Sequence, residues 1–171
     1  LNFLIETRSD RLNGKRVGDD YFTPGWTEYK KRADYNTYDV TSLLMPGKNV
    51  LGAILGDGWY AGYFAWGQRR GLFGKNPRLM VQLDVEYEDG SRAAIVTDST
   101  WKCAYGPVRQ ADLIMGCSYD ATMEMPGWNS VGFDDAKWAT AANCGAGASP
   151  VQTPTEHAKN PPSSIQLSAY P

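Results

Sequence analysis

RLMVQLDVEYEDGSRAAIVTD, residues 78–98, places apolar side chains at every second position. Leu79, Val81, Leu83, Val85 and Tyr87 fall on one face, with mostly polar residues between them. A period of two marks a strand with one buried face, because successive side chains point to opposite sides of the pleat. Asp89-Gly90 then supplies a pair suited to the positive φ angles of a tight turn, and AAIVTD runs back. The segment reads as an antiparallel hairpin whose inner face is Leu79, Val81, Leu83, Val85 and Tyr87.

The neighbouring stretches repeat this pattern. Upstream, PGKNVLGAILGDGW has a Pro46-Gly47 turn followed by the apolar strand VLGAIL. ADYNTYDVTSLL alternates Tyr35, Thr37 and Asp39 on one face with Asn36, Tyr38 and Val40 on the other. Asn13-Gly14 signals a further hairpin near the start. Downstream, TWKCAYGPV and GCSYDATME read as strands, and GFDDAKW as a turn anchored by Trp138. About eight strands at intervals of roughly ten residues, with no long amphipathic helix, predict an all-β, jelly-roll β-sandwich. After Trp138 the chain turns small, polar and Pro-rich (ATAANCGAGASPVQTPTEHAKNPPSS). Residues 1–140 are therefore expected to form the sandwich. Residues 141–171 read as a linker or strap, with SIQLSAY offering one further strand.

Composition narrows the function. The chain has 171 residues, enough for one domain with a sizeable core. A formal net charge of -2 and no dense basic run argue against nucleic acid and membrane surfaces as partners, and no apolar stretch approaches the roughly 18 residues of a membrane span. LNFLIETRSD has no signal-peptide pattern, which fits a mature or excised piece. Cys103, Cys117 and Cys144 are too scattered for a metal cage, and three thiols leave room for one bridge. They leave the compartment open between cytoplasmic and exported. The lone histidine, His157, sits in the Pro-rich tail, a poor base for nucleophilic catalysis. No GxGxxG, P-loop or HExxH pattern is present.

One stretch departs from the strand grammar. GDGWYAGYFAWGQRRG, residues 56–71, interleaves five glycines with Trp59, Tyr60, Tyr63, Phe64 and Trp66, then adds Arg69 and Arg70. That much Gly disfavours both a buried strand and a helix, so it reads as a strand end entering a ring-rich loop. A ring stacks well on the apolar C–H face of a sugar, and Asp or Arg then hydrogen-bonds the hydroxyls. Asp57, Trp59, Tyr60, Trp66, Arg69 and Arg70 are the right types for a sugar-binding set. The alternative is structural: the rings plug the end of the sandwich or dock on another domain.

LNGKRVGDDYFTPGWTEY (12–29), YDVTSLLMPGKNVLGAILGDGWYAG (38–62), VEYEDGSRAAIVTDSTWK (85–102) and GFDDAKW (132–138), in that order, resemble the N-terminal β-sandwich of bacterial α-L-rhamnosidases of glycoside hydrolase family 78. The DVT and FDD phrases are also shared by galactose-binding-like jelly rolls attached to many glycosidases. The leader LNFLIETRSDR departs from the family's usual opening strands. The family's catalytic helical barrel, which carries the acids that invert the glycosidic bond, has no counterpart in this sequence. The resemblance thus implies an accessory domain that is not itself an enzyme, from a parent that hydrolyses terminal α-L-rhamnosides. It implies two partners: a rhamnose-containing glycan and the parent's catalytic domain. The runner-up is a domain that docks on the catalytic barrel without binding sugar.

Two acidic constellations bear on this. Asp19-Asp20, in a loop closed by Pro24-Gly25, is a candidate calcium site, because calcium takes six to eight oxygens and some rhamnosidase sandwich domains bind rhamnose through calcium. The competing reading is a solvated turn whose carboxylates accept local hydrogen bonds. No cofactor is otherwise required. Glu86/Glu88 and Asp134-Asp135 were weighed as a hydrolytic pair, which needs two carboxyls facing each other about 5–9 Å apart across a cleft. Glu86 and Glu88 point the same way along one strand face, so they do not supply one.

Overall fold

The computed structural model describes residues 8–20, 23, 25–31, 34–64, 69–141 and 166–168. The chain enters through β1 (Arg8–Leu12), turns at Asn13-Gly14 and returns as β2 (Lys15–Arg16). Asn13 has φ 53 and Gly14 φ 80, the paired positive angles of a two-residue hairpin turn. The Asn13 side chain also reaches across the fold, donating to Leu43 O at 2.9 Å and accepting from Val50 N at 2.9 Å. The turn residue thereby ties the first hairpin to the strand it pairs with.

β3 is Tyr38–Asp39 and β4 is Leu51–Leu55. The alternating stretch 33–44 is expected to be a strand, yet only Tyr38 and Asp39 pair among its described residues. Asp39 explains the early stop: its carboxylate accepts from both the backbone N and the hydroxyl of Thr41, turning the chain into a short 3-10 helix. A single helical turn, α1 (Gly58–Ala61), leads to the short ribbon β5 (Tyr63–Phe64) and β6 (Arg69–Arg70). The hairpin of residues 78–98 forms β7 (Gln82–Glu86) and β8 (Arg92–Val96), paired from Gln82↔Val96 to Glu86↔Arg92. Tyr87 lies one residue past the last pair and is 53% exposed, so it leaves the inner face on which alternation had placed it. There β9 (Lys102–Cys103), β10 (Val108–Asp112), β11 (Gly116–Tyr119) and β12 (Ala139–Thr140) follow, and β13 (Gln166–Ser168) closes the order.

Two sheets dominate, one ordered β2-β1-β4 and the other β3-β13-β7-β8. All pairings within them are antiparallel. Leu12 and Val17 from the first sheet's hairpin meet Val40, Val81 and Leu83 from the second in one buried cluster. Leu51, Leu79, Val85 and Trp101 pack around it. The architecture is an all-β sandwich of jelly-roll type, with thirteen short strands among the described residues where about eight were expected. The excess consists mainly of two-residue bridges. Trp101 seals one side and donates its indole N–H to Val96 O at 3.1 Å. Trp128 packs over Gly52 in β4, where a Cβ would strike the indole.

β13 lies between β3 and β7, pairing Leu167 with both Tyr38 and Leu83. It comes from the segment read as strap or further strand. The intervening residues 142–165, with Cys144 and His157, lie outside the described residues. Cys103 is disulfide-bonded and Cys117 is a free, exposed thiol. Among the described residues, no helix is long and apolar enough to cross a membrane.

Candidate functional site

The ring-rich stretch begins where β4 ends. Asp57 N donates to Ala111 O at 3.0 Å, which fastens the exit of β4 to β10. Ala61 N then bonds Asp57 O at 2.9 Å and Gly62 N bonds Gly58 O at 3.1 Å, closing α1. The glycine content had argued against any helix. It still forbids a long one, but one turn is held by tertiary contacts rather than by propensity. Gly62 shows why the glycines are there: a Cβ at this position would run into the Asp112 carboxylate and the Gly58 carbonyl.

Asp112 is the organising polar group of this end, although nothing in the sequence marked it. It is 7% exposed. Its Oδ1 accepts from Ile114 N and Met115 N, both at 2.8 Å, and its Oδ2 accepts from Tyr63 N. One carboxylate thus shapes the β10–β11 turn and pins the start of β5. A buried carboxylate is tolerated when backbone N–H groups satisfy it in this way.

The rings assemble around α1 and β5. Tyr29 meets Tyr60 at 5.4 Å and Phe73 at 5.0 Å, both edge to face. Phe64 meets Trp59 and Phe73, each at 5.7 Å and again edge to face. Trp26 lies tilted on Phe64 at 5.8 Å. Edge-to-face contacts match the positive ring edge to the negative ring face, adding about 0.5–1.5 kcal/mol per pair beyond area burial. Tyr60 is 6% exposed, with its ring against Gly74 where a Cβ would not fit. It belongs to the interior and is not a surface ring. Trp59 is half-buried, whereas Trp26 is 55% exposed. Of the six residues chosen for sugar binding, the fold brings Asp57, Trp59, Tyr60, Arg69 and Arg70 to this end of the sandwich, and Trp66 lies outside the described residues. Asp57 accepts from Arg70 at 3.1 Å, an ion pair in which Asp57 is 15% and Arg70 53% exposed. Its other oxygen accepts from Ala111 N at 3.4 Å.

Trp26, Tyr29, Phe73 and Asp112 complete the site without having been chosen from the sequence. For the rings a signal existed: PGW and GLFG repeat the glycine-next-to-ring grammar of residues 56–71.

Asp19 and Asp20 are exposed. Asp20 accepts from the Tyr38 hydroxyl at 2.9 Å, and its carbonyl accepts from the Arg16 guanidinium. The pair offers calcium two carboxylates against the six to eight oxygens that the ion takes. Among the described residues no group of three or more His, Cys, Asp or Glu side chains gathers to hold a metal. Three of the other acids considered have local partners. Glu86 pairs with Arg92 at 3.2 Å, Asp135 pairs with Lys102 at 2.7 Å, and Asp134 caps Ala136 N at 3.0 Å. A cleft of about 220 Å³ opens between the sheets, lined by Leu12, Asn49, Leu51, Leu83, Ile95 and Trp101. Its one polar side chain, Asn49, is engaged by Asn13 and the backbone of Met45 and Gly47, so the cleft presents no convergent polar groups.

Comparison with known proteins places this arrangement. The α-L-rhamnosidase N-terminal domain family matches residues 9–165. An α-L-rhamnosidase of Streptomyces avermitilis is 49% identical over 128 residues, covering 74% of this chain and 12% of that protein. One from Formosa agariphila is 41% identical over 128 residues, covering 74% of this chain and 14% of its own length. Among solved structures, the Streptomyces avermitilis α-L-rhamnosidase complexed with L-rhamnose superposes with a TM-score of 0.76 at 46% identity, over 79% of this chain and 13% of that one. The native enzyme of Aspergillus terreus gives 0.76 at 36% identity, over 81% and 17%. This chain therefore spans a small part of each relative, and it belongs to the α-L-rhamnosidase N-terminal domain family.

Proposed function

We propose that this domain is a non-catalytic carbohydrate-binding accessory of an α-L-rhamnosidase-like glycoside hydrolase, and that its aromatic end takes a rhamnose-containing glycan. The parent reaction in this reading is hydrolysis of terminal α-L-rhamnosides, carried out elsewhere in the parent protein. The observation that supports it most is the composition of the aromatic end: Tyr60 is buried, Tyr29, Trp59, Phe64 and Phe73 are half-buried in contact with it or with one another, Trp26 is exposed on Phe64, and the exposed Arg69 and Arg70 pair with Phe64 and Tyr63 across the β5–β6 ribbon. Rings supply a stacking surface and guanidiniums supply hydroxyl donors. Among the described residues, the engagement of Glu86, Asp134 and Asp135 by local partners supports the non-catalytic half of the reading, since glycoside hydrolysis needs two carboxyls turned toward one cleft.

The test is calorimetric titration of the chain with L-rhamnose, in calcium and then in chelator. Saturable heat in both buffers supports the aromatic end acting without metal. Heat that chelation abolishes adds a calcium ion to the reading and directs attention to Asp19 and Asp20. No heat in either buffer rejects sugar binding in favour of docking on the parent's catalytic domain. A second observation supports that docking alternative. The β10–β11 hairpin exposes Ile114 (49%), Met115 (56%) and Tyr119 (56%), an apolar surface of the kind that meets another domain.

A further inference from the structure

The β5–β6 ribbon has two faces, and they differ in chemistry. Tyr63 pairs with Arg70 and Phe64 with Arg69. Opposed residues of an antiparallel pair project to the same side, and sequence neighbours to opposite sides. Arg70 therefore shares a face with Tyr63, and Arg69 shares the other with Phe64. On the first face Arg70 is bonded to Asp57, although its own side chain stays 53% exposed. On the second, Phe64 meets Trp59, Phe73 and the 55%-exposed Trp26, and Arg69 is exposed with no hydrogen bond or ion pair among the described residues.

We infer that Trp26 and Arg69 are the sugar-facing pair of the site, and that the Asp57–Arg70 ion pair is its structural back wall. The inference rests on the carbohydrate reading above and sharpens it. Trp26 comes from a different loop than residues 56–71, and Phe64 holds its indole. A half-exposed indole resting on a neighbouring ring offers its remaining surface to the apolar C–H face of a pyranose, and an indole has only two χ angles to order. Arg69 on the same face supplies up to five N–H donors to the ring hydroxyls. Arg70 has committed part of that capacity to Asp57.

The experiment titrates the chain and its variants with L-rhamnose while following thermal unfolding. Trp26→Ala is expected to weaken binding about tenfold, the size of a lost stacking contact, with a melting temperature lowered by no more than about 2–4 °C. Arg69→Ala is expected to weaken it about three- to tenfold by removing charge-assisted donors. Tyr105→Ala, which removes a ring 80% exposed on another part of the surface, is the control and should bind as the parent chain does. Should Trp26→Ala melt early, Trp26→Phe keeps a smaller ring on Phe64 and should bind at an intermediate level. Wild-type affinity in Trp26→Ala or in Arg69→Ala overturns the inference and leaves the carbohydrate reading standing on other residues. Absence of binding by the unaltered chain removes both.

Discussion

The two hydrophobic clusters of this domain bury apolar surface by different means. Between the sheets, Leu12, Val17, Val40, Val81 and Leu83 are delivered by strand alternation, which places every second side chain inward. At the aromatic end, Tyr60 and Ala61 are buried with Tyr29 and Phe73 against them, and the chain there is mostly loop. Glycine takes over the role of alternation: at Gly62 and Gly74 the missing Cβ is the space that Asp112 and Tyr60 occupy. Strands bring small aliphatic groups together in a closed layer. Loops bring large rings together in a cluster whose outer members stay partly in water. The first arrangement stabilises the fold, and the second also leaves a chemically distinctive surface.

The sharpest way to break that contrast is truncation in each cluster. Leu12→Ala, at a side chain with 0% exposure, should cost about 2–5 kcal/mol in urea unfolding through lost burial and a cavity. Trp26→Ala, at the exposed rim of the rings, should cost about 1 kcal/mol or less. Comparable losses would show that the aromatic end is simply more core. Next comes overpacking. Gly62→Ala should destabilise by about 1–3 kcal/mol, because the new methyl must displace a carboxylate and a backbone carbonyl that hold α1 and β5. A neutral outcome there would mean that the carboxylate and the carbonyl move aside at no cost, since Gly62 has φ -82, which alanine adopts freely.

A slightly smaller effect is expected from Asp112→Asn. It keeps the shape but turns one of the two accepting oxygens into an NH2 donor, which leaves either Tyr63 N or the Ile114 and Met115 N–H groups without an acceptor, at about 1–2 kcal/mol by chemical denaturation. If Asp112 organises the aromatic end, the same change should also weaken sugar binding without the residue touching sugar. The smallest effect concerns an exposed acid outside both clusters. Asp98 is held below the ordinary 3.8, first by the Thr100 hydroxyl and then by the Thr100 backbone N–H. A carboxylate depressed in the folded state contributes stability that is fully present above 3.8 and is lost as pH falls through the folded value. An NMR titration should therefore place the Asp98 midpoint below 3.8, and Thr100→Ala should raise it. An unchanged midpoint would show that the backbone N–H alone sets it.

Much of the sandwich was legible because its information is local. Alternation marked β7, Asp89-Gly90 marked its turn, and Asn13-Gly14 marked the β1–β2 turn where both positive φ angles are found. Alternation misled at residues 33–44, because a side-chain acceptor, Asp39, competed with the ladder for Thr41 N. It misled again at Tyr87, because alternation does not say where pairing stops. The aromatic end was legible as a place rich in rings and illegible as a geometry. Which rings face water depends on contacts between residues far apart in sequence, such as Trp26 on Phe64 and Tyr29 on Tyr60.

By itself, then, the sequence determined the all-β character, the main hairpins and the concentration of rings beside β4, since period, turn chemistry and composition act over a few residues. Tertiary structure alone decided that Tyr60 is interior, that Asp57 closes on Arg70 and that Asp112 holds three backbone groups. It also decided that Arg69 and Arg70, adjacent in sequence, serve opposite faces of one ribbon. Those outcomes depend on which surfaces meet when the two sheets and their connecting loops pack, and no short stretch of chain contains that information.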